Sequence, residues 1–372
     1  MVRRALCRHL EIVTYPEDIH DMPVTLLSAR PFIVFMSLVL FAFCSPAAAV
    51  SLSHTEEHSL DFYGTLIARR FISRKASENG DRTYLYFGLR GMQQLGHDWQ
   101  AFGQWEYTVS ATDASRNATR LAFLGVRNPT TGSLDIGRNW GGLYDVTSLT
   151  DRSPLFREMS YNYVDNVTRG RAEDLLTYRR SFDLVHTPVQ LALQYQFPGH
   201  QTDRPVTKRY GKGLGASLGA SFTSRFSAIV AASTSCSTRV QQHEAGYQKQ
   251  IRTLAGGLRY QSPQFYLAAV STRSNNAIHP KPSANAHSAF SEEVLMKVML
   301  TPSLQPHVGY TRLRQTESGY RRDVLNYEEV GLTWYMGKNM QIFMDYKLNN
   351  LRQHHRQTDA ADKADIGLSY HW

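Results

Sequence analysis

Three short stretches of the sequence carry residue types that could support chemistry. Gly215-Ala216-Ser217-Leu218-Gly219 is spelled like a nucleophile elbow, Gly211-Lys212-Gly213 like part of a phosphate-binding loop, and His354-His355 offers adjacent imidazoles. An elbow requires a strand, a sharp turn and a helix, and a phosphate loop requires a following helix, but the alternation here is that of a strand. Neighbouring histidines on an extended chain point to opposite sides, which disfavours a shared metal. We therefore predict no enzyme activity, no metal site and no cofactor, and we assign the small residues around Ser217 to positions that face a lumen or pack subunits.

A long irregular segment interrupts an otherwise regular chain. The strand-like residues Ser133 to Asn139 stop abruptly, and alternation resumes only after Arg171. In a compact domain, an irregular loop of this length is usually functional. We predict that this loop, at about residues 140–171, folds inward and narrows a pore.

Alternation of apolar and polar side chains is the dominant pattern elsewhere. In residues 189–197 every second side chain is apolar, so one face of the extended chain is apolar and the other carries glutamines. About ten residues at roughly 3.3 Å each, tilted by about 45°, span roughly 24 Å, which is the height of the apolar band of a membrane barrel. The same reading predicts sixteen strands, at residues 60–72, 83–91, 99–111, 118–127, 132–139, 172–183, 189–198, 213–222, 225–236, 248–261, 263–273, 290–300, 303–315, 325–336, 339–350 and 363–372.

The connections between these predicted strands alternate in length. They are short after even-numbered strands, as at Thr223-Ser224 and Gly337-Lys338, and long after odd-numbered ones. Short turns at one rim and long loops at the other are typical of an outer-membrane barrel, in which the first and last strands must pair because an open edge in hydrocarbon is costly. We predict an all-β fold, a transmembrane antiparallel β-barrel of sixteen strands with an inward-folded third loop. A soluble two-domain β-sandwich is the competing fold, because alternation alone does not separate lipid from core.

The first fifty residues differ from the rest. Pro31 to Cys44 is an apolar run of signal-peptide length, and the small residues Pro46 to Ala49 follow it as a cleavage site. The run is too short to span a membrane as a helix. We predict a cleaved signal peptide at residues 1–49, with Met22 as an alternative start, and a single barrel domain at residues 50–372 in the cell outer membrane.

The net charge of the chain limits the classes of partner that we expect it to bind. The formal net charge is +9, and residues 1–49 contribute none of it because four arginines there balance four carboxylates. In a cytosolic protein this surplus would suggest nucleic acid, but export makes anionic solutes and lipopolysaccharide the expected partners. Mean hydropathy is negative, so only a period-2 architecture could place this chain in a membrane. Cys236 is the one cysteine after residue 49, and no intramolecular disulfide is expected.

Several of the predicted strands carry short motifs that belong together. They are Phe62-Tyr63-Gly64, Gly103-Gln104-Trp105-Glu106-Tyr107, Thr119-Arg120-Leu121-Ala122-Phe123, Gly137-Arg138-Asn139, Tyr144-Asp145-Val146-Thr147, Thr177-Tyr178-Arg179 and Leu191 to Gln196, with an aromatic C-terminal end. In this combination the chain resembles the general diffusion porins of Gram-negative outer membranes, which are trimeric sixteen-stranded barrels. The resemblance implies a homotrimer whose pores pass small hydrophilic solutes and ions passively. It also implies a third loop, folded inside, that sets acids against a ladder of bases on the facing wall.

The resemblance assigns candidate constriction residues by motif position. Arg120 and Arg171 correspond to bases of the ladder, with Arg179 nearby. Asp151 corresponds to a loop acid and Glu106 to a wall acid. We expect these five side chains to line the narrowest part of the pore.

The chain departs from the family pattern at the same place. Thr65 and Tyr86 stand where bases are usual, and Leu155 stands where the loop usually has an acid, while the loop gains Arg152 and Arg157. These changes leave the eyelet more positive by one charge, so we predict a weak anion preference. The alternative is that Arg152 and Arg157 lie on the loop surface and that selectivity is nearly neutral.

The predicted function is therefore an outer-membrane porin, a water-filled channel for passive diffusion of small hydrophilic solutes and ions. Two alternatives come from other classes of protein. One is an outer-membrane barrel enzyme of the lipase or protease type, and the other is a non-conducting barrel adhesin.

Overall fold

The structure is a computed structural model that describes residues 50–153, 170–199, 209–244, 248–276, 288–317, 320–351 and 361–372. All of these belong to one compact unit, Pro46–Trp372. The predicted signal peptide, the second half of the predicted constriction loop with Arg157, and His354-His355 lie outside the described residues. Among the described residues, no helix has the length and apolar character needed to cross a membrane.

The described residues form one antiparallel sheet. Its strands are β1 (Val50–His54), β2 (His58–Ser73), β3 (Gly80–Asp81), β4 (Tyr84–Gly96), β5 (Trp99–Ser110), β6 (Ala118–Asn128), β7 (Gly132–Trp140), β8 (Arg171–Leu184), β9 (Thr187–Gln196), β10 (Gly213–Ser221), β11 (Phe226–Cys236), β12 (Gln250–Gln261), β13 (Phe265–Asn275), β14 (Ser288–Val298), β15 (Leu304–Glu317), β16 (Tyr320–Tyr335), β17 (Met340–Asn349) and β18 (Lys363–His371). Short helices lie at Ala76–Glu78, Ala114–Arg116, Tyr144–Thr147 and Arg239–Glu244.

Sixteen of these strands form a closed ring. Each pairs with the next along the chain, and the ring closes where β18 pairs with β2, from Lys363 opposite Ser73 to His371 opposite Thr65. Closure leaves no open edge among the sixteen, which is the condition for a sheet in hydrocarbon. The sixteen-stranded barrel predicted from the alternation is confirmed, and the ends of the predicted strands are shifted by at most five residues.

Two strands of the sheet were not predicted. The two-residue β3 is too short to show a period, and β1 belongs to the chain's entry into the barrel. β1 pairs with β2 at Val50–Phe62, directly beyond the point where Trp372 and Gly64 exchange backbone hydrogen bonds of 3.1 Å. The first and last described residues therefore meet on the same strand.

The alternation of side chains sorts the two faces of the barrel. On β12, Leu254 and Leu258 point outward and are 61% and 51% exposed, whereas Thr253 and Ala255 point inward and are buried. An outward apolar band and a polar interior are what a lipid-facing barrel requires. Residues on the inward face line the lumen and can take part in a pore.

The connection between β15 and β16 differs from the expected long loop. β15 runs to Glu317 and β16 begins at Tyr320, and these two residues are paired across the strands. Arg312 donates two hydrogen bonds of 3.0 and 2.9 Å to Asp323, and Arg314 lies 3.4 Å from the same carboxylate. A β-bulge after Leu313 brings both arginines beside Asp323. These ion pairs extend the hairpin where the sequence alone indicated a loop.

The turn between β8 and β9 carries a conformational cost that can be measured. Val185 and His186 both have positive φ, +48° and +64°, as a two-residue type I′ turn requires. A β-branched side chain is poorly suited to this region, whereas asparagine tolerates it. Val185 is 86% exposed, so its side chain contributes little packing in return.

We predict that Val185→Asn stabilises the folded barrel by about 1 kcal/mol, because asparagine relieves the left-handed strain. The measurement is the free energy of unfolding in urea, with the protein reconstituted in phospholipid vesicles. Val185→Ile keeps the branched Cβ and should give no gain. A Val185→Asn protein no more stable than the wild type would contradict the prediction.

Candidate functional site

The third long connection leaves β7 at Trp140 and turns into the barrel. The backbone N–H of Gly141 donates to Gly170 (2.7 Å), which holds the two ends of the loop together. The buried side-chain amide of Gln194 accepts from the Gly142 N–H (2.5 Å) and donates to the Trp140 carbonyl (2.8 Å). Since Gln194 lies on the inward face of β9, it directs the loop toward the lumen.

The described part of the loop packs on the inner wall through an apolar contact. Leu143, Val146 and Leu149, on and beside the helix Tyr144–Thr147, are 0%, 0% and 2% exposed. They pack against inward side chains of β11 to β14, which are Ala231, Ala255, Tyr266, Ala268, Val270 and Leu295. Burying each large apolar side chain contributes about 1.5–3 kcal/mol, so this contact is strong enough to hold the loop inside. The inward fold of the third loop is therefore confirmed for residues up to Ser153.

Polar contacts fix the next part of the loop. The Tyr266 hydroxyl donates to the Leu149 carbonyl (2.6 Å), and the Thr150 hydroxyl donates to the Glu293 carboxylate (2.6 Å). Ser153 lies 3.4 Å from Nε2 of His307, and the Lys297 ammonium donates to the Arg152 carbonyl. The loop is thus attached to the wall along its whole described length.

His307 and Asp345 form the wall behind Ser153. Their side chains are fully buried, with Nε2 of His307 2.7 Å from Oδ1 of Asp345. Both lie over Gly331, where an added Cβ would stand 2.0 Å from Oδ1 of Asp345 and 2.4 Å from His307. Glycine at this position makes room for the pair. Sequence reasoning missed both residues, although each lies at an inward position of its strand.

Arg179 is held by a loop acid that sequence reasoning did not single out. Its Nη1 donates to both carboxylate oxygens of Asp145, at 3.0 and 2.9 Å, and the Ser217 hydroxyl donates to the same carboxylate. Asp145 belongs to the helix Tyr144–Thr147, so this interaction joins the loop to β8 and β10. Ser217, the centre of the elbow-like motif, lies inside β10 and serves in this contact.

Arg120 and Glu106, two of the candidate constriction residues, contact each other on the barrel wall. Nε of Arg120 donates to Oε1 of Glu106, and the Tyr63 hydroxyl donates to Oε2 (3.0 Å). The guanidinium of Arg120 also lies 5.1 Å from the ring centre of Tyr86. Tyr86, one of the two positions where a base is missing, therefore supports a neighbouring base by a cation–π contact.

Arg171 lies at the return of the loop, in a stack of planar groups. Its guanidinium is 5.3 Å from the ring centre of Trp140, and the rings of Trp140 and Tyr144 are 3.6 Å apart and nearly parallel. Beside it, Nη1 of Arg138 lies 3.2 Å from Oε1 of Glu173. Arg138 was recognised as part of a motif and was not assigned to the constriction. Arg138 lies two residues from outward Ile136, and residues at that spacing share one face of a strand.

The two remaining described candidates lie on the loop itself. Asp151 accepts a hydrogen bond from the Tyr144 hydroxyl (3.1 Å). The Arg152 side chain is exposed, and its guanidinium lies 4.8 Å from the ring centre of Tyr266. The structure thus brings Arg179 to the loop acid Asp145 and Arg120 to Glu106. It joins Asp151 to Tyr144 within the loop and places Arg152 beside Tyr266 of β13.

These features match known proteins over nearly the whole chain. The family model described as Gram-negative porin matches residues 56–372. The outer membrane porin PhoE of Klebsiella pneumoniae is 33% identical over 348 residues, covering 90% of this chain and 98% of the relative. PhoE of Escherichia coli is 32% identical over 347 residues, with the same coverages.

A solved structure agrees with this assignment. The OmpF of Salmonella typhi, in complex with daunomycin, has a TM-score of 0.77 and 29% identity, covering 86% of this chain and 99% of that one. The predicted family, outer-membrane location and channel function are therefore confirmed. The chain belongs to the Gram-negative porin family, and it forms an outer-membrane channel for passive diffusion.

Proposed function

We propose that this channel passes small hydrophilic solutes and ions with a weak preference for anions, through a constriction formed by the loop at about residues 140–171. The observation that supports it best is the apolar docking of Leu143, Val146 and Leu149 on the inner wall, which holds loop residues inside the lumen. The candidate constriction residues are Arg120, Asp151, Arg152, Arg157, Arg171, Arg179 and Glu106, of which Arg157 lies outside the described residues.

The pairing of charges along the lumen supports the sign of the preference. Arg120 and Arg179 each have a carboxylate partner, so they add little net charge to the pore. Arg152 and Arg259 have no ion pair among the described residues, and both lie on or beside the loop's wall contact. Uncompensated, permanently charged guanidinium groups raise the local concentration of anions. The net charge of +9 acts in the same direction.

The preference is measured as the reversal potential across a planar bilayer in a gradient of potassium chloride. The wild type should prefer chloride, and Arg152→Gln should lower the chloride-to-potassium permeability ratio by about twofold, because one partly screened charge is removed. Arg273→Gln is the control, since Arg273 is exposed on the outward face of β13. Clear potassium selectivity of the wild type would contradict the proposal.

Planar-bilayer recordings also test the number of subunits and the two alternative classes of protein, the barrel enzyme and the adhesin. We propose a homotrimer, as the family suggests, and conductance steps grouped in threes would support it.

Porins of this family are channels without enzymatic activity. We propose no enzymatic activity for this chain, because Ser217 lies within a strand and donates a hydrogen bond to Asp145. Hydrolase activity without conductance would instead support the barrel enzyme, and absence of conductance and activity would support the adhesin.

We also propose that lipopolysaccharide binds the outward surface of β7 to β13. A groove of about 890 Å³ there is lined by leucines, and its floor is the paired Ala216 and Ala232 of β10 and β11. Arg252 and Arg273 flank its end nearest the long loops, where both side chains are exposed. Acyl chains fit the apolar floor, and arginines at that level can bind phosphate bidentately.

The double variant Arg252→Gln/Arg273→Gln should weaken lipopolysaccharide binding about tenfold, because it removes two phosphate contacts from an interface that keeps its apolar part. Binding is measured by titrating fluorescent lipopolysaccharide onto the detergent-purified protein. Arg152→Gln, a lumen variant, should bind like the wild type. Equal affinity of the double variant and the wild type would argue against this surface.

A further inference from the structure

A second cavity lies inside the barrel, on the short-turn side of the loop. It has a volume of about 540 Å³ and is lined by loop residues Asp145, Ser148 and Arg152 together with inward residues of β10 to β12. Asn128 and Pro129, at the turn after β6, also line it, which places it toward the periplasmic rim. We name it the arginine cavity, because its lumen-side lining includes Arg127, Arg152, Arg179 and Arg259.

The charge of the arginine cavity is strongly unbalanced. Its lining contains one carboxylate, Asp145, against five arginines, these four and Arg180, which leaves a net charge of +4 from these groups. Asp145 already accepts from Arg179 and Ser217. Arg127, Arg152 and Arg259 therefore have no carboxylate partner among the residues that line the cavity.

The arrangement of these guanidinium groups is partly fixed before any ligand arrives. Arg127 donates through Nε to Gln100 (2.9 Å). Arg152 stacks on the Tyr266 ring at 4.8 Å. Both partners are neutral, so they orient the guanidinium groups without cancelling their charge.

Arg259 is the group that most needs a partner. It lies on the inward face of β12, one diagonal step from Tyr266 on β13. Its Nε is buried and has no hydrogen-bond partner in the part of the chain that the structure describes. A buried guanidinium N–H without an acceptor is costly, and an oxyanion would satisfy it.

We propose that the arginine cavity binds a multivalent oxyanion of the pyrophosphate class at the periplasmic side of the constriction. The guanidinium fork matches two oxygens of a phosphate, and several such forks around one cavity favour a ligand with several negative oxygens over chloride. The proposal deepens the anion preference proposed above and rests on it, since the ligand reaches the cavity through the same pore. Anionic solutes that pass through the pore therefore bind transiently in the arginine cavity.

The test is block of single channels by inorganic pyrophosphate, added to one chamber and then to the other at constant ionic strength. Pyrophosphate should block the wild type reversibly, and at lower concentration from the side of the short turns. Arg259→Gln and Arg152→Gln should each raise the half-blocking concentration about tenfold, as expected for loss of one charge-assisted contact. Arg259→Lys, which keeps the charge but loses the fork, should raise it less than Arg259→Gln.

Arg273→Gln on the outward face is the matched control and should leave the half-blocking concentration unchanged. The unitary potassium chloride conductance of each variant shows that the barrel is folded and open. Absence of block in the wild type, or equal block of Arg259→Gln and Arg273→Gln, would overturn the site. Chloride preference without block leaves the proposed function standing and this inference refuted, whereas block through Arg259 in a potassium-preferring channel supports the site and refutes the preference.

Discussion

The barrel depends on one constraint, the satisfaction of every backbone hydrogen bond inside a membrane. It is met by pairing β18 with β2, so that the sixteen strands have no open edge. Once the ring is closed, the alternation of side chains along each strand determines which residues face lipid and which face the lumen. Leu254 and its outward neighbours face lipid, and the polar half of each strand surrounds a lumen. A chain with negative mean hydropathy can therefore reside in the outer membrane.

Within that lumen, the loop supplies an apolar contact where a pore would otherwise be polar. Leu143, Val146 and Leu149 dock on small inward side chains such as Ala255 and Ala268, and polar contacts complete the attachment. This docking decides which charges face the passage. Asp145 becomes the partner of Arg179, and Arg152 is carried to the wall beside Arg259 without an acid.

The sequence predicted the barrel well because each strand repeats a two-residue pattern that is visible locally. It did not predict the extended β15–β16 hairpin, since the ion pairs of Arg312 and Arg314 with Asp323 depend on a bulge. Motif position found Arg120 with Glu106, whereas the pair of Asp145 and Arg179 joins elements that only the folded loop brings together. Contacts between distant segments have no period, so Gln194, His307 and Arg259 gave no signal beyond their inward positions.

The central claim is that the loop rests on the inner wall, and a disulfide between them tests it most directly. An added Cβ at Gly257 would stand 3.0 Å from a methyl group of Val146, so Val146→Cys/Gly257→Cys places two thiols within bonding reach. The background is Cys236→Ser, which removes the remaining cysteine of the barrel. The account predicts that oxidation forms the disulfide and leaves the unitary conductance unchanged, because the loop is already in place. Failure to form the bond, or a fall in conductance when it forms, would contradict the account.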